Sequence, residues 1–184
     1  MINVALLSRW HVHADDYARQ ASENEHLSIK LVWDDDVKRG QEWADSLNVP
    51  FEADLEKVLS SSEIDAVIVD TPTTQHKEVI IAAANHKKHI FTEKVLALTV
   101  SECEEILDAV EENGVQFMIS LPRLTENYYL YAQNIVDQGE IGKLTSIRCD
   151  LLITVESHRK VRLLAGFQSG FITLPKQEEV RLSI

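Results

Sequence analysis

The sequence predicts an α/β fold, a parallel sheet covered by helices on both faces. Three observations predict it. Short apolar runs alternate along the chain with stretches of helical period. The runs are apolar throughout, as strands buried on both faces are. The chain has 184 residues and is 45% hydrophobic, enough for one real core and a piece of a second domain.

The elements follow in order. Ile2–Leu7 reads as a buried strand, and Ala14–Ser22 as a helix with apolar spacing at Ala14, Tyr17, Ala18 and Ala21. Leu27–Trp33 is a second strand, stopped at Asp34, and a polar helix covers Val37–Leu47. Asp54 is placed to cap a short helix carrying Leu55, Val58 and Leu59. "IDAVIVDTP" is a strand stopped by Pro72, and Thr74–Asn85 a helix burying Val79, Ile80 and Ala83. "HKKHIFTEK" holds another short strand. The clearest helix is 99–113. Thr99 and Glu102 make a capping box, Val100, Cys103, Ile106, Leu107 and Val110 make its apolar face, and Gly114 ends it. "VQFMIS" is a strand, a helix runs from Thr125 to Asp137, "GEIGK" turns the chain, and "LTSIRC" is the last strand. Strands and helices alternating in this way specify a doubly wound, Rossmann-type parallel sheet.

Composition narrows the function. The net charge of −12 argues against nucleic acid or an anionic membrane as partner. No apolar run reaches the roughly 20 residues of a membrane span, and the N-terminus enters a strand without a signal-like segment, so a cytoplasmic protein is expected. Cys103 and Cys149 suggest neither a disulfide framework nor a four-ligand zinc site.

The turn after the first strand, "SRWHVHA", stands where a dinucleotide fold aims amides at a pyrophosphate. Glycine is preferred there, since a side chain blocks the approach. Here Ser8, Arg9, Trp10 and His11 occupy it. Ser8 permits a tight turn, and Arg9 can meet phosphate directly. Without a ligand, the same residues make a turn with Trp10 packed at the edge. Asp34 lies 26 residues beyond Ser8, loosely where a ribose-binding acid belongs. Asp34, Asp35 and Asp36 together favour NAD over NADP, while Lys38 and Arg39 leave NADP a smaller opening. His11 and His13 raise a rival: the pair resembles the first metal motif of amidohydrolase barrels. The chain is too short for such a barrel, and His76, His86, His89 and His158 lack zinc-like spacing. No metal is expected.

"TPTTQH" and "TEK" end strands at the ligand-binding edge of a parallel sheet. Thr71, Thr73 and Thr74 offer hydroxyls there, and Thr73 or Thr74 can cap the next helix. Lys94 can bond a ribose or polarise a substrate oxygen.

Together, residues 1–149 resemble the N-terminal domain of the Gfo/Idh/MocA oxidoreductases. "DAVIVDTPTTQH" resembles the family's T-P-N-x-x-H segment, through Thr71, Pro72 and His76. "HIFTEKVLAL" resembles its E-K-P segment, through Glu93 and Lys94. "GEIGKLTSIR" is similar to the stretch entering the second domain, and "SLPR", through Arg123, to the segment after the sixth strand. The resemblance implies NAD(P) binding, a small hydroxylated substrate such as a sugar or polyol, and Lys94 contacting both. It implies an aspartate and a histidine for proton transfer, supplied by the second domain. Two departures stand out: Val95 replaces the proline of E-K-P, and the glycine turn is shortened, with His13 where the family often has a histidine opening the helix. A non-catalytic dinucleotide-binding module is the alternative reading, and a His-x-His metal-dependent hydrolase a more distant one.

The expected organisation is a dinucleotide-binding domain over 1–122, a connecting helix and strand over 123–149, and an aberrant tail over 150–184, only a remnant of the second α+β domain. The tail has no clear periodicity. A reading-frame shift near residue 149 would account for it. Regrouping the codons of Phe171–Ile184 by one nucleotide permits F-Y-N-P-A-E-A-G-G-G-A-L-I-D, which resembles a second-domain G-G-x-(apolar)₃-D stretch. Natural divergence is the alternative, and the gene sequence decides between them. Such a tail is expected to pack weakly, leave this chain inactive, and favour self-association into a homo-oligomer.

Overall fold

The computed structural model describes residues 1–143, 145, 148–151 and 180–183. It divides into two units, Met1–Pro122 and Arg123–Ile184.

The first unit is a parallel sheet of β1 (Ile2–Leu7), β2 (Leu27–Trp33), β3 (Ala66–Val69), β4 (His89–Thr92) and β5 (Phe117–Ile119) in the order β2-β1-β3-β4-β5. One more residue belongs to it. Phe51 bridges Val32 in parallel, with the Val32 amide donating to Pro50 and the Glu52 amide to Val32. Counting that single bridge as a vestigial strand outside β2 gives the dinucleotide-fold order 3-2-1-4-5-6.

Alternation along the strands makes the sheet doubly wound. Ala5 and Leu7 of β1, with Val67 and Val69 of β3, face a core built with Val58, Leu59, Val79, Ile80, Ala83, Ile106 and Ala109. Leu6, Ile68 and Val32 face the other way, against Ala14, Ala18, Ala21, Trp43 and Ala44. Thus α3 (Leu55–Ser60), α4 (Thr73–Asn85) and α5 (Val100–Asn113) cover one face, and α1 (Ala14–Glu23) and α2 (Val37–Leu47) cover the other. The three alanines of α1 recur at helical spacing, so this helix lies close against the sheet.

Local signals set the helix ends. Asp36 accepts the Arg39 amide to start α2, and Asn48 ends it in the left-handed region at φ 55°. Asp54 accepts the Glu56 amide at α3. The Thr99–Glu102 capping box and the left-handed Gly114 bound α5. Two expectations need correction. On α5, Val100 is 75% exposed and Leu107 49% exposed. The buried line runs through Ile106 and Ala109, with Cys103 and Val110 packed beside it, because that is the side of the helix that leans on α4. At α4, Pro72 occupies the cap position and no side chain caps. Its extended backbone delivers Thr73 directly into the first turn.

A 3₁₀ turn (Pro122–Thr125) begins on the last residue of the first unit and leads along the chain to α6 (Asn127–Asp137) of the second. β6 (Arg148–Leu151) pairs antiparallel with β7 (Val180–Ser183). The expectation for the 150–184 tail falls mostly on 152–179 and 184, which lie outside the described residues, as do 144, 146 and 147 of "LTSIRC". Among the described residues no helix is long and apolar enough to cross a membrane.

Gly40 marks a tight contact between α2 and the sheet. A Cβ there would lie 2.4 Å from the Phe51 ring and 2.6 Å from the Asp34 Cβ. Gly40→Ala is expected to cost about 1–3 kcal/mol through this overpacking, despite the better helix propensity of alanine. Urea unfolding checks it; an unchanged midpoint would show the contact is loose.

Candidate functional site

The turn after β1 keeps the backbone of a glycine turn without the glycine. Ser8 is buried and left-handed at φ 74°, a region costly for any residue with a Cβ. Local bonds hold it there. Its amide donates to the Trp33 carbonyl at 2.7 Å, and its Oγ accepts the Trp10 amide at 3.2 Å. Arg9 forms a bidentate pair with Asp15 at 2.8 and 2.7 Å, open to solvent. Trp10 is 51% exposed, so it does not pack at the edge.

Asp34 organises this turn. Its carboxylate is buried and accepts four donors: the amides of Arg9 at 2.8 Å and Asp36 at 2.9 Å, and Nε and Nη2 of Arg39. Burial alone would raise this carboxyl; the Arg39 pair and the two amides outweigh it and hold the group below the usual carboxylate range. Four donors fill its acceptor sites. Asp34 therefore offers no spare oxygen to a ribose, which corrects its expected role. Asp35, exposed beside it, accepts from Arg39 and Gln75.

At the ends of β4 and β5, Glu93 is buried and braced. Tyr17 of α1 donates to its Oε1 and pairs with Ser120 Oγ at 2.6 Å. The Lys94 amide donates to Oε2 at 2.7 Å, and Lys94 Nζ to the same oxygen at 3.2 Å, while the lysine side chain stays 48% exposed. Burial would raise the Glu93 carboxyl; these bonds lower it instead. His11 brings Nδ1 to 3.8 Å from Glu93 Oε1. Burial pushes its imidazole below the ordinary value, against the pull of Glu93. The Lys94–Val95 peptide is cis.

Between these groups, β3 ends in Asp70 and Thr71. Asp70 is fully buried, neither carboxyl oxygen has a hydrogen-bond partner among the described residues, and Thr71 Oγ1 has none either. Burial, with Glu93 second, pushes the Asp70 carboxyl up to about 8. His76 is a clamp rather than a contact residue. Its ring is 1% exposed, with Nε2 3.0 Å from the Thr71 carbonyl and Nδ1 3.0 and 3.2 Å from the carbonyls of Val95 and Leu96. It thus ties "TPTTQH" to the segment after Lys94, where the family's proline is absent. Pro72 and Thr73 are half-buried at the same edge. Arg123 belongs to the second unit, where it donates to Tyr128.

These residues fit a nicotinamide dinucleotide on one count and depart on another. The orphaned Thr71 hydroxyl and half-exposed Lys94 leave polar groups to satisfy at the carboxyl edge. The amides of Ser8, Arg9, Trp10 and His11, however, already donate within the chain, His11 to the Asp70 carbonyl. These amides are therefore not free for a phosphate, and the Arg9 guanidinium beside them is paired with Asp15 near solvent. Sequence reading missed Tyr17, Arg39, Asp70 and Ser120. The one available signal was the acid in "VIVDTP", which strand burial makes conspicuous.

The family model for the Gfo/Idh/MocA oxidoreductases, NAD-binding Rossmann fold, matches residues 10–121, more than half of the chain. This chain belongs to the Gfo/Idh/MocA oxidoreductase family. Among similar proteins of the family, an uncharacterized oxidoreductase of Streptococcus pneumoniae is 37% identical over 127 residues, 69% of this chain and 34% of its own. The 2,7-anhydro-N-acetylneuraminate hydratase of Escherichia coli is 36% identical over 123 residues, 67% of this chain and 33% of its own. Scyllo-inositol dehydrogenase from Lactobacillus casei, solved with NAD(H) and scyllo-inositol, superposes with a TM-score of 0.72 at 25% identity, covering 83% of this chain and 45% of that one. This Gfo/Idh/MocA chain therefore spans about a third of the length of these sequence relatives.

Two expected outcomes follow for this family member. Arg39→Ala leaves Asp34 without its cation and costs about 2 kcal/mol, a value discounted because Arg39 is 28% exposed. The Asp34 carboxyl is lowered by folding, so its contribution is present above its unfolded value of about 3.9 and is lost as pH falls below it. Acid unfolding of Arg39→Ala should be correspondingly less steep there, and an identical acid limb would count against the pairing. Asp70 has the opposite sign. Its folded value near 8 lies above the unfolded one, so wild-type stability drains away as pH rises from about 4 toward 8. The melting temperature of Asp70→Asn relative to wild type should climb between pH 5 and 8. A constant difference would refute the raised value.

Proposed function

We propose that this domain binds NAD at the carboxyl edge of its sheet for hydride exchange with a small hydroxylated substrate, a sugar, polyol or related carbohydrate. The observation that carries the reading is Lys94, held half-exposed at the end of β4 by buried Glu93, which Tyr17 and Ser120 brace in turn. A cation fixed in this way polarises a substrate oxygen and orients the carbon beside it. When bound, the nicotinamide supplies the hydride acceptor. Arg9 meets the diphosphate by exchanging its exposed pair with Asp15, a pair of little intrinsic worth. Asp35, with the acidic turn around it, meets the ribose and disfavours a 2′-phosphate. Thr71, Pro72 and Thr73 line the floor between them, and His76 holds that floor in place. The resemblance assigns the acid–base aspartate and histidine to the family's second domain, and binding without turnover is the second reading. The protein is proposed to act in the cytoplasm.

A thermal-shift titration separates the readings. NAD at about a hundred times its Kd should stabilise the fold by about 2.7 kcal/mol, several degrees in Tm, and NADP should do less. Arg9→Ala should weaken NAD about tenfold. Lys94→Ala should keep NAD binding within a few-fold while removing any polyol-dependent NADH formation. A flat response to both nucleotides would overturn the proposal.

A further inference from the structure

We propose that His11, His13 and Glu93 form a binding site for one divalent transition-metal ion. The three residues come from two distant parts of the sequence. The "HVH" turn supplies two imidazoles, and the end of β4 supplies the carboxylate. One ligand atom from each lies within 4.8 Å of the others. The His11 and His13 rings are 5.1 Å apart, and His11 Nδ1 is 3.8 Å from Glu93 Oε1.

The donor set suits such an ion. Two imidazole nitrogens and one carboxylate oxygen form a triad found with zinc and ferrous iron, and leave positions open. At metal–ligand distances of about 2.1 Å, tetrahedral ligand atoms stand roughly 3.4 Å apart. Closing the site therefore needs a contraction of about an ångström. His13 is exposed, its ring set edge-on to Tyr17 at 6.2 Å between centroids, so a rotamer change supplies it. Glu93 is the fixed point, buried and braced by Tyr17. Its Oε1 accepts that one bond and keeps a second lone pair. His11 Nδ1 accepts only a long 3.3 Å contact from the His13 amide, which an ion displaces at little cost.

A separate observation points to a missing polar species at the same end of the sheet. Asp70, whose carbonyl accepts the His11 amide, is buried with both carboxyl oxygens unpartnered among the described residues. Water on a bound ion provides the donors it lacks, as outer-shell carboxylates commonly accept. The expectation of no metal weighed the histidines and their spacing, without a carboxylate ligand. The fold adds a third ligand that lies 80 residues beyond His13.

The test uses the full chain, stripped with chelator and titrated with zinc by calorimetry, and with cobalt(II) by visible absorption. Nucleotide is left out, so failure here leaves the dinucleotide reading untouched. The expected result is one ion per chain with a micromolar or tighter Kd and ligand-field bands for cobalt(II). His13→Ala and His11→Ala should each weaken binding at least tenfold, with the fold intact by circular dichroism. His86→Ala removes a separate histidine–carboxylate pair, with Glu56, and should change nothing. Absence of saturable binding, wild-type affinity in His13→Ala, or loss in His86→Ala would each overturn the proposal.

Discussion

The carboxylate of Asp34 is the constraint on which the site depends. It ends β2 and reaches the amide of Arg9, just past the left-handed Ser8. It also fixes the Asp36 amide at the start of α2 and the guanidinium of Arg39 within that helix. One buried group thus ties β2, the turn after β1 and α2 into a single corner. Gly40 lets α2 approach that corner closely. A buried charge saturated in this way is worth keeping only as a set, since losing any one donor leaves the rest exposed to the desolvation cost.

This constraint explains how the turn does without glycine. A glycine turn needs little outside help to adopt positive φ. A serine needs compensation, which here comes from bonds to Trp33, Trp10 and the Asp34 corner. The compensation has a consequence for ligands. Amides that stabilise the turn cannot also hold a phosphate, which is why the proposed diphosphate contact is the Arg9 side chain. Recognition through a flexible cation is less directional than a cradle of amides.

Most of the fold was legible because its signals are local. The bounds of α2, the Asp54 cap and the Thr99–Glu102 box are short-range chemistry, and each appears where the sequence places it. The site was legible only in part. Lys94 and Glu93 are neighbours in a readable segment. Tyr17 looks like one more apolar position on α1 until the fold sets its hydroxyl against Glu93, 76 residues away. Asp34 was found in the right place but given the wrong task, because only the packed structure shows how many donors surround it. Val100 and Leu107 matched a helical stripe, yet tertiary contact buried Ile106 and Ala109 instead.

The bridge at Phe51 is the only strand pairing that β2 makes on its outer side among the described residues. A full-length outer strand would present a row of unpaired amides and carbonyls to any passing chain. Here the ladder stops after one rung, and Pro50 beside it has no N–H to offer. The segment around Phe51 is therefore a short, blunted margin, a poor template for a further strand laid outside it.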